Sequence, residues 1–301
     1  MSILVVGSVA LDSIQTPFGR VTEALGGSAT YFSLAATHYA PIKLVAVVGE
    51  DFPKEHVELL RQHKVDVEGL QVVTGRTFRW SGRYDFDLNT AITLDTQLNV
   101  FAEFHPSLPA SYANTPFVFL ANIDPELQYE VLTQVRGARL TVMDTMNFWI
   151  EGKREALTRT MESVDVVLMN EGELREFAGL ASTVKAARKV LELGPKVVIC
   201  KKGEYGAVLF SPGGYFVAPA YPIEDVFDPT GAGDSFAGGF LGYLASVGDV
   251  TPQTFKRAII HGSVVASFAV EDFSVGRLRS VTRAELDARY AEFRQFTHFD
   301  E

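Results

Sequence analysis

DPTGAGDSFAGGF, residues 228–240, reads as a loop that feeds a helix, and the rest of the chain is organised around it. Asp228-Pro229 disfavours helix and sends the backbone into an extended or turning path. Gly231, Ala232 and Gly233 follow with almost no side chain, and Phe236, Phe240, Leu241 and Leu244 then recur at helical spacing. The first turn of a helix has N–H groups without intrahelical acceptors and a partial positive charge, so a small-residue loop there can wrap a phosphate. Asp234 lies in that turn. A carboxylate beside an anion cradle is a poor phosphate ligand, but it suits a base that takes a proton from a hydroxyl attacking a phosphoryl group. An aspartate N-cap on a glycine-rich turn is the plainer reading, and these residues alone leave it open.

Around this loop the chain alternates strand and helix patterns. Ile3 to Gly7, Lys43 to Val48, Phe117 to Leu120, Leu140 to Met143, Val164 to Met169 and Val197 to Cys200 are continuous aliphatic runs, the pattern of strands buried on both faces of a parallel sheet. Helical periodicity lies between them over Phe52 to His63, Pro125 to Val135, Glu151 to Met161 and Ser182 to Leu193, and again over Gly233 to Ser246, Pro252 to Ala269 and Arg283 to Phe296. Ala207 to Phe210 and Tyr215 to Ala218 form a hairpin around Pro212-Gly213-Gly214. Right-handed crossovers place the loops after the strands along one rim, where ligands collect in open α/β sheets.

Several polar residues fall on that rim. Asp12 follows the first strand and is a candidate for substrate hydroxyls or a solvated turn. Gly26-Gly27-Ser28 opens a second loop-to-helix junction, with Ser28 as N-cap; its glycines admit a ligand close to the backbone or make a tight turn. Asn122 and Asp124 follow another strand. Asn170 and Glu173, three apart at a helix start, fit a phosphate-and-magnesium region and equally a capping box. Lys201 to Gly206 follows the next strand, and its Gly203 and Gly206 suit either a nucleotide or a hairpin.

The texture changes between Gly75 and Phe104. Arg76 to Trp80, Gly82 to Phe86 and Ala91 to Leu94 alternate polar with apolar residues, and Asp87-Leu88-Asn89 supplies a turn. This predicts half-exposed antiparallel strands inserted as a lid over residues 75–104, with a contribution from residues 10–20, or an edge extension of the main sheet. The rest forms one domain over residues 1–301.

Composition narrows the partners. The 301 residues are 47% hydrophobic, enough for a large core. A net charge of -10 argues against a surface that gathers nucleic acid or anionic lipid, so an anionic ligand has to be held locally. Cys200 is the single cysteine and sits in an apolar strand, which predicts a reduced thiol and a cytoplasmic home. No apolar run reaches the length of a membrane span.

With these residues in view, the chain resembles the ribokinase-like, or PfkB, family of carbohydrate and nucleoside kinases over nearly its full length. DPTGAGDSFAGGF matches that family's D-T-x-G-A-G-D signature, Gly26-Gly27 its N-terminal glycine motif, Asn170 to Glu173 its N-x-x-E pair, and Gly203 with Gly206 its G-x-x-G turn. The resemblance implies a three-layer α/β/α fold with a mainly parallel sheet and a small β-sheet lid. It implies Asp234 as general base and the Gly231, Ala232 and Gly233 amides as anion hole, with ATP and Mg2+ as cofactors. Asp12, Gly26, Gly27 and Ser28 would then face the acceptor. Glu173 would organise magnesium, directly or through water, and Asn170, Lys201, Gly203 and Gly206 the nucleotide. Asp228 and Thr230 match residues that hold a monovalent cation such as K+, and the lid matches a homodimer surface.

Two departures bear on the acceptor. Ala10 stands where ribose-binding members carry an Asn, and Ser28 to Tyr31 replaces Lys-Gly-Ala-Asn. Simple ribose loses polar partners there, and Asn122 and Asp124 are the candidate substitutes or turn residues. The expectation is an ATP-dependent kinase of an alcohol group on a small sugar or sugar-like molecule. Its rivals are a nucleoside kinase, with Tyr31, Phe101 or Phe104 stacking a base, and a catalytically silent ligand sensor.

Overall fold

In the computed structural model, which describes residues 1–298, the aliphatic runs become the interior of a 9-stranded sheet. The chain runs β1 (Ile3–Val6), β2 (Ala10–Thr16), β3 (Gly19–Gly26), α1 (Ser28–Ala36), β4 (Ile42–Gly49), α2 (Lys54–Gln62), β5 (Val65–Val73), β6 (Arg79–Tyr84) and β7 (Ala91–Gln97). It continues through β8 (Phe117–Leu120), α3 (Pro125–Gln134), β9 (Leu140–Met143), α4 (Asn147–Gly152), α5 (Arg154–Met161), β10 (Val166–Asn170), α6 (Glu171–Ala178), α7 (Thr183–Leu191) and β11 (Val197–Lys201). The hairpin β12 (Ala207–Ser211) and β13 (Gly214–Ala218) then leads to α8 (Ala232–Val247), α9 (Pro252–Ala269) and α10 (Arg283–Thr297).

The sheet order is β13-β12-β11-β10-β9-β8-β1-β4-β5, parallel from β11 to β5 and antiparallel at the β11–β12–β13 edge. β1 shows why its sequence is unbroken aliphatic. Ile3 and Val5 enter the core beneath α1, α8 and α9, whereas Leu4 and Val6 enter the core beneath α3, α5, α6 and α7. All four side chains are fully buried, so truncating one, as in Leu4→Ala, costs about 2–5 kcal/mol. The result is the expected three-layer α/β/α arrangement.

A second sheet of 4 strands runs β3-β2-β6-β7. Its β6–β7 pair is the antiparallel pair expected from the alternating sequence, and β2 pairs with β6 in parallel. β2 follows β1, an interior strand of the main sheet, and β6 follows the edge strand β5; β1 and β5 run the same way, and so do β2 and β6. The alternating segments Arg76 to Trp80 and Gly82 to Phe86 contribute to a single strand, β6, which spans only Arg79–Tyr84. The Glu151 to Met161 helix is interrupted at Lys153, the last cap of α4 and the first of α5.

Candidate active site

Parallel strands bring the carboxyl ends of β1, β8, β9, β10 and β11 to one rim, and the lid sheet and the α8 loop close over it. At the α8 start the N-cap is Gly231, not Asp234. Gly231 has φ +74, and a Cβ there would lie 2.3 Å from the Tyr31 ring, so only glycine fits. Ala232 N–H donates to the Pro229 carbonyl at 3.2 Å, and Thr230 N–H to Asp228 Oδ1 at 2.9 Å. Among the described residues the amides of Gly231 and Gly233 have no protein acceptor, and the half-buried Asp234 carboxylate makes no hydrogen bond. Asp234 therefore does not serve as the helix cap. Burial, then the nearby Asp144 carboxylate, push the Asp234 carboxyl up to about 8, while Lys201 pulls it back.

Lys201 closes β11 beside this turn. Its Nζ lies 3.1 Å from where a Cβ on Gly233 would sit, and it pairs with Asp144 at 2.5 Å. Asp144, buried directly after β9, also accepts from Thr145 N–H at 2.9 Å. Burial opposes the Lys201 charge, but Asp144 and Glu173 outweigh it and hold the ammonium above the ordinary lysine value. Asn170 caps α6 and forms a full capping box with Glu173: Glu173 N–H donates to Asn170 Oδ1 at 2.8 Å, and Asn170 N–H to Glu173 Oε2 at 2.7 Å. Burial raises the Glu173 carboxyl to about 7 against the pull of Lys201. The cap thus fixes Glu173 next to the Lys201–Asp144 pair.

Asp12 sits on β2 with its carboxylate against Gly26, where a Cβ would lie 1.9 Å from Oδ2. Gly27 N–H donates to Asp12 Oδ2 at 3.3 Å. Burial lifts this carboxyl to about 7; the Gly27 amide works against the shift and Asp228 adds to it. Ser28 was expected as the N-cap of α1, but that position is Gly27. The Ser28 hydroxyl instead meets Ser8, with the two oxygens 3.1 Å apart, and donates to the Asn122 carbonyl at 3.3 Å. Those bonds strap the end of β1 to the start of α1.

The remaining candidates hold structural partners. Asn122 accepts from Trp149 Nε1 at 3.0 Å. Asp124 caps α3 by accepting from Glu126 N–H at 3.0 Å and pairs with Lys153 at 2.6 Å, the geometry of the turn alternative. Gly203 and Gly206 bound the short turn between the antiparallel β11 and β12, so the hairpin geometry is present. Asp228 is fully buried, with Oδ2 accepting from Ser274 N–H at 3.0 Å. Phe101 and Phe104 stack in the core with Phe78 and are not free to hold a base.

The lid reaches the rim at two places. Thr230 Oγ1 donates to the Tyr84 phenol oxygen at 3.2 Å, and Asn89 Nδ2 at the β6–β7 turn donates to Glu204 Oε1 at 3.3 Å. Sequence reasoning missed Ser8, Tyr84 and Asp144. Asp144 had a signal, because it directly follows a strand, the rule that singled out Asp12 and Asn170. Among the described residues no three His, Cys, Asp or Glu side chains form a ready metal cage. Magnesium in nucleotide sites takes one or two carboxylates plus phosphates and waters, so Glu173 and Asp144 suffice as its protein side. No helix among the described residues is long and apolar enough to cross a membrane.

Known proteins share this fold. The chain is 32% identical over 247 residues to the cytidine kinase of Thermococcus kodakarensis, covering 80% of this chain and 87% of that one. The Burkholderia thailandensis nucleoside kinase in complex with ADP-inosine superposes with a TM-score of 0.78 at 19% identity, covering 96% of this chain and 95% of the other. An E. coli chain solved in complex with ATP and Mg2+ gives a TM-score of 0.80 at 18% identity over 97% and 99% of the two chains. The profile of the pfkB family carbohydrate kinases matches residues 2–280, and so the chain belongs to that family of kinases, which phosphorylate an alcohol group on sugars or nucleosides.

Proposed function

We propose that this chain transfers the γ-phosphoryl group of ATP to a hydroxyl of a nucleoside, with Asp234 as the base. The observation that carries the reading is the α8 junction: a carboxylate in the first helical turn, next to two amides, all three without a hydrogen-bond partner among the described residues. Free amides at a helix start stabilise charge that develops on a transferring phosphoryl, in a site where water does not compete. Asp12, held by Gly27 N–H and facing Asp228, orients the acceptor by taking a hydrogen bond from one of its hydroxyls. Asp234 then accepts the proton of the hydroxyl that attacks.

Lys201, fixed by Asp144, lies at the cradle and balances the carboxylates there. Glu173 and Asp144 hold Mg2+, which neutralises phosphate charge when bound. Asn170, Gly203 and Gly206 border the nucleotide, and the Gly26-Gly27-Ser28 strap backs the acceptor. Tyr84 and Asn89 are the lid contacts that exclude water during transfer. K+ activation through Asp228 and Thr230, a homodimer through the lid sheet, where Phe86 and Leu94 are exposed, and a cytoplasmic home complete the proposal.

The nucleoside acceptor rests on the cytidine kinase relative. A second reading, a small sugar-like polyol, is favoured by the burial of Phe101 and Phe104, which removes two aromatic platforms for a base. ADP release from ATP against a panel of nucleosides, sugars and inositols decides between them. Turnover with nucleosides alone supports the first reading, and turnover with polyols alone overturns it. Asp234→Asn should lower turnover by about 10²–10⁴-fold on the accepted substrate; unchanged turnover removes Asp234 as the base.

A further inference from the structure

Tyr31 is 1% exposed, yet its hydroxyl oxygen is buried with no hydrogen-bond partner among the described residues. A buried unpaired hydroxyl costs about 1–3 kcal/mol, so it needs a reason. Packing does not supply one. The ring alone covers Gly231, in the space that the glycine leaves at φ +74, and a phenylalanine would cover it as well.

The surroundings of the hydroxyl point to a ligand. Asp12, Asp228 and Asp234 and the Tyr84 phenol all act on it electrostatically, and burial with these charges holds its ionisation well above the ordinary tyrosine value. Tyr31 is therefore a neutral donor wherever the enzyme works. An ionised Asp12 can only accept, so a substrate hydroxyl completes the set: it accepts from Tyr31 and donates its own proton to the Asp12 carboxylate.

Resting on the kinase reading above, we propose that Tyr31 is a specificity-determining residue whose hydroxyl donates to an acceptor hydroxyl other than the one phosphorylated. The site then selects polyhydroxylated acceptors over their deoxy counterparts, because a missing hydroxyl leaves buried polar groups unpaired. Tyr31 thus restores, from the first turns of α1, part of the polar recognition that Ala10 cannot provide.

Tyr31→Phe keeps the ring and removes only the oxygen. The test compares wild type and this variant on cytidine, 2′-deoxycytidine and 3′-deoxycytidine. Wild type should discriminate against at least one deoxy analogue. The variant should lose about tenfold in kcat/KM on cytidine, mostly through KM, and nothing on that analogue, with the KM for ATP unchanged. An equal loss on all three acceptors, or none, overturns the proposal.

Thermal unfolding without substrate gives a second, independent arm. If the hydroxyl serves a ligand, Tyr31→Phe melts at or above the wild-type temperature. A lower melting temperature shows a structural partner and overturns the inference. Should wild type release no ADP with cytidine or either analogue, the nucleoside reading fails, and this stability arm still decides the role of Tyr31.

Discussion

Two glycine-led helix starts meet in this molecule, and they differ in what their amides do. At α1 the turn is closed upon itself: Gly27 N–H reaches Asp12, Ser28 N–H reaches Ser8 Oγ at 3.0 Å, and Ala29 N–H reaches the Ser8 carbonyl at 3.0 Å. At α8 the Gly231 and Gly233 amides have no acceptor among the described residues, and Asp234 stands beside them with no hydrogen bond to any of those residues. In sequence both stretches fit a ligand loop or a plain turn, because glycine before a helical pattern is all that sequence shows. A helix start becomes an anion site only when nothing in the protein satisfies its donors. The α1 junction is a support that places Asp12, and on the proposed reading the α8 junction is where phosphoryl charge would be received.

This contrast can be broken most severely at Gly231. Gly231→Ala forces a side chain into a left-handed backbone and into the Tyr31 ring, so turnover should drop by about 10²-fold or more, while strain lowers stability by about 1–3 kcal/mol. Steady-state kinetics with a parallel melting curve checks it, and a fully active variant would show that the cradle geometry is not needed.

The closed junction should respond in the opposite order. Ser8→Ala leaves the Ser28 amide and hydroxyl short of a partner and should cost about 1–3 kcal/mol of stability, measured by denaturant unfolding, with a smaller effect on turnover. A variant that loses turnover but not stability would make α1 a reacting site after all.

Acidity separates the two further. The Asp234 carboxyl is raised to about 8 and must be ionised to act as base, so kcat/KM should rise with pH toward that value. Lys201→Met removes the cation that lowers it and should move this limb to higher pH. In stability the sign reverses. A carboxyl raised above its unfolded value is stabilising when protonated, and that contribution is lost as pH climbs from about 4 to about 8. Asp234→Asn should accordingly raise the melting temperature near pH 9 and change it much less near pH 4, which a melting series across that range would show.

The smallest effect belongs to the lid tip. Asn89→Ala removes one exposed hydrogen bond to Glu204, worth about 0.5–1.5 kcal/mol at most, and should raise KM severalfold or less. A loss as large as that of Gly231→Ala would shift the weight of the mechanism from the cradle to lid closure.

Much of this was legible in the sequence. Buried parallel strands announce themselves as continuous aliphatic runs, and Ile3 to Val6 did so because both of its faces are covered. The α8 signature was legible because its backbone demands residues without side chains, above all Gly231, where a Cβ would meet the Tyr31 ring. The lid was half legible: β6 and β7 alternate, but β2 was seen only as a possible contribution from residues 10–20 and most of β3 lay outside it, because the β2–β6 pairing, to which β3 adds along the far side of β2, is set by tertiary approach.

The site showed the same limit. Asn170 and Glu173 fit a cap and a ligand site alike, and the capping box proves to be the device that holds Glu173 beside Lys201. Asp144 was missed because its role lies in a pairing with Lys201, 57 positions away, that no local pattern carries. Ser28 was misplaced as a cap because its hydroxyl is claimed by Ser8, which again only the fold brings near.

The most direct test of the account follows the glycine amides themselves. In protein labelled with 15N at glycine, ADP with aluminium fluoride and Mg2+ stands in for the transferring phosphoryl group. The account predicts large shifts of the Gly231 and Gly233 amide resonances while that of Gly27 stays in place. A shift at Gly27 without one at Gly231 or Gly233 would contradict it.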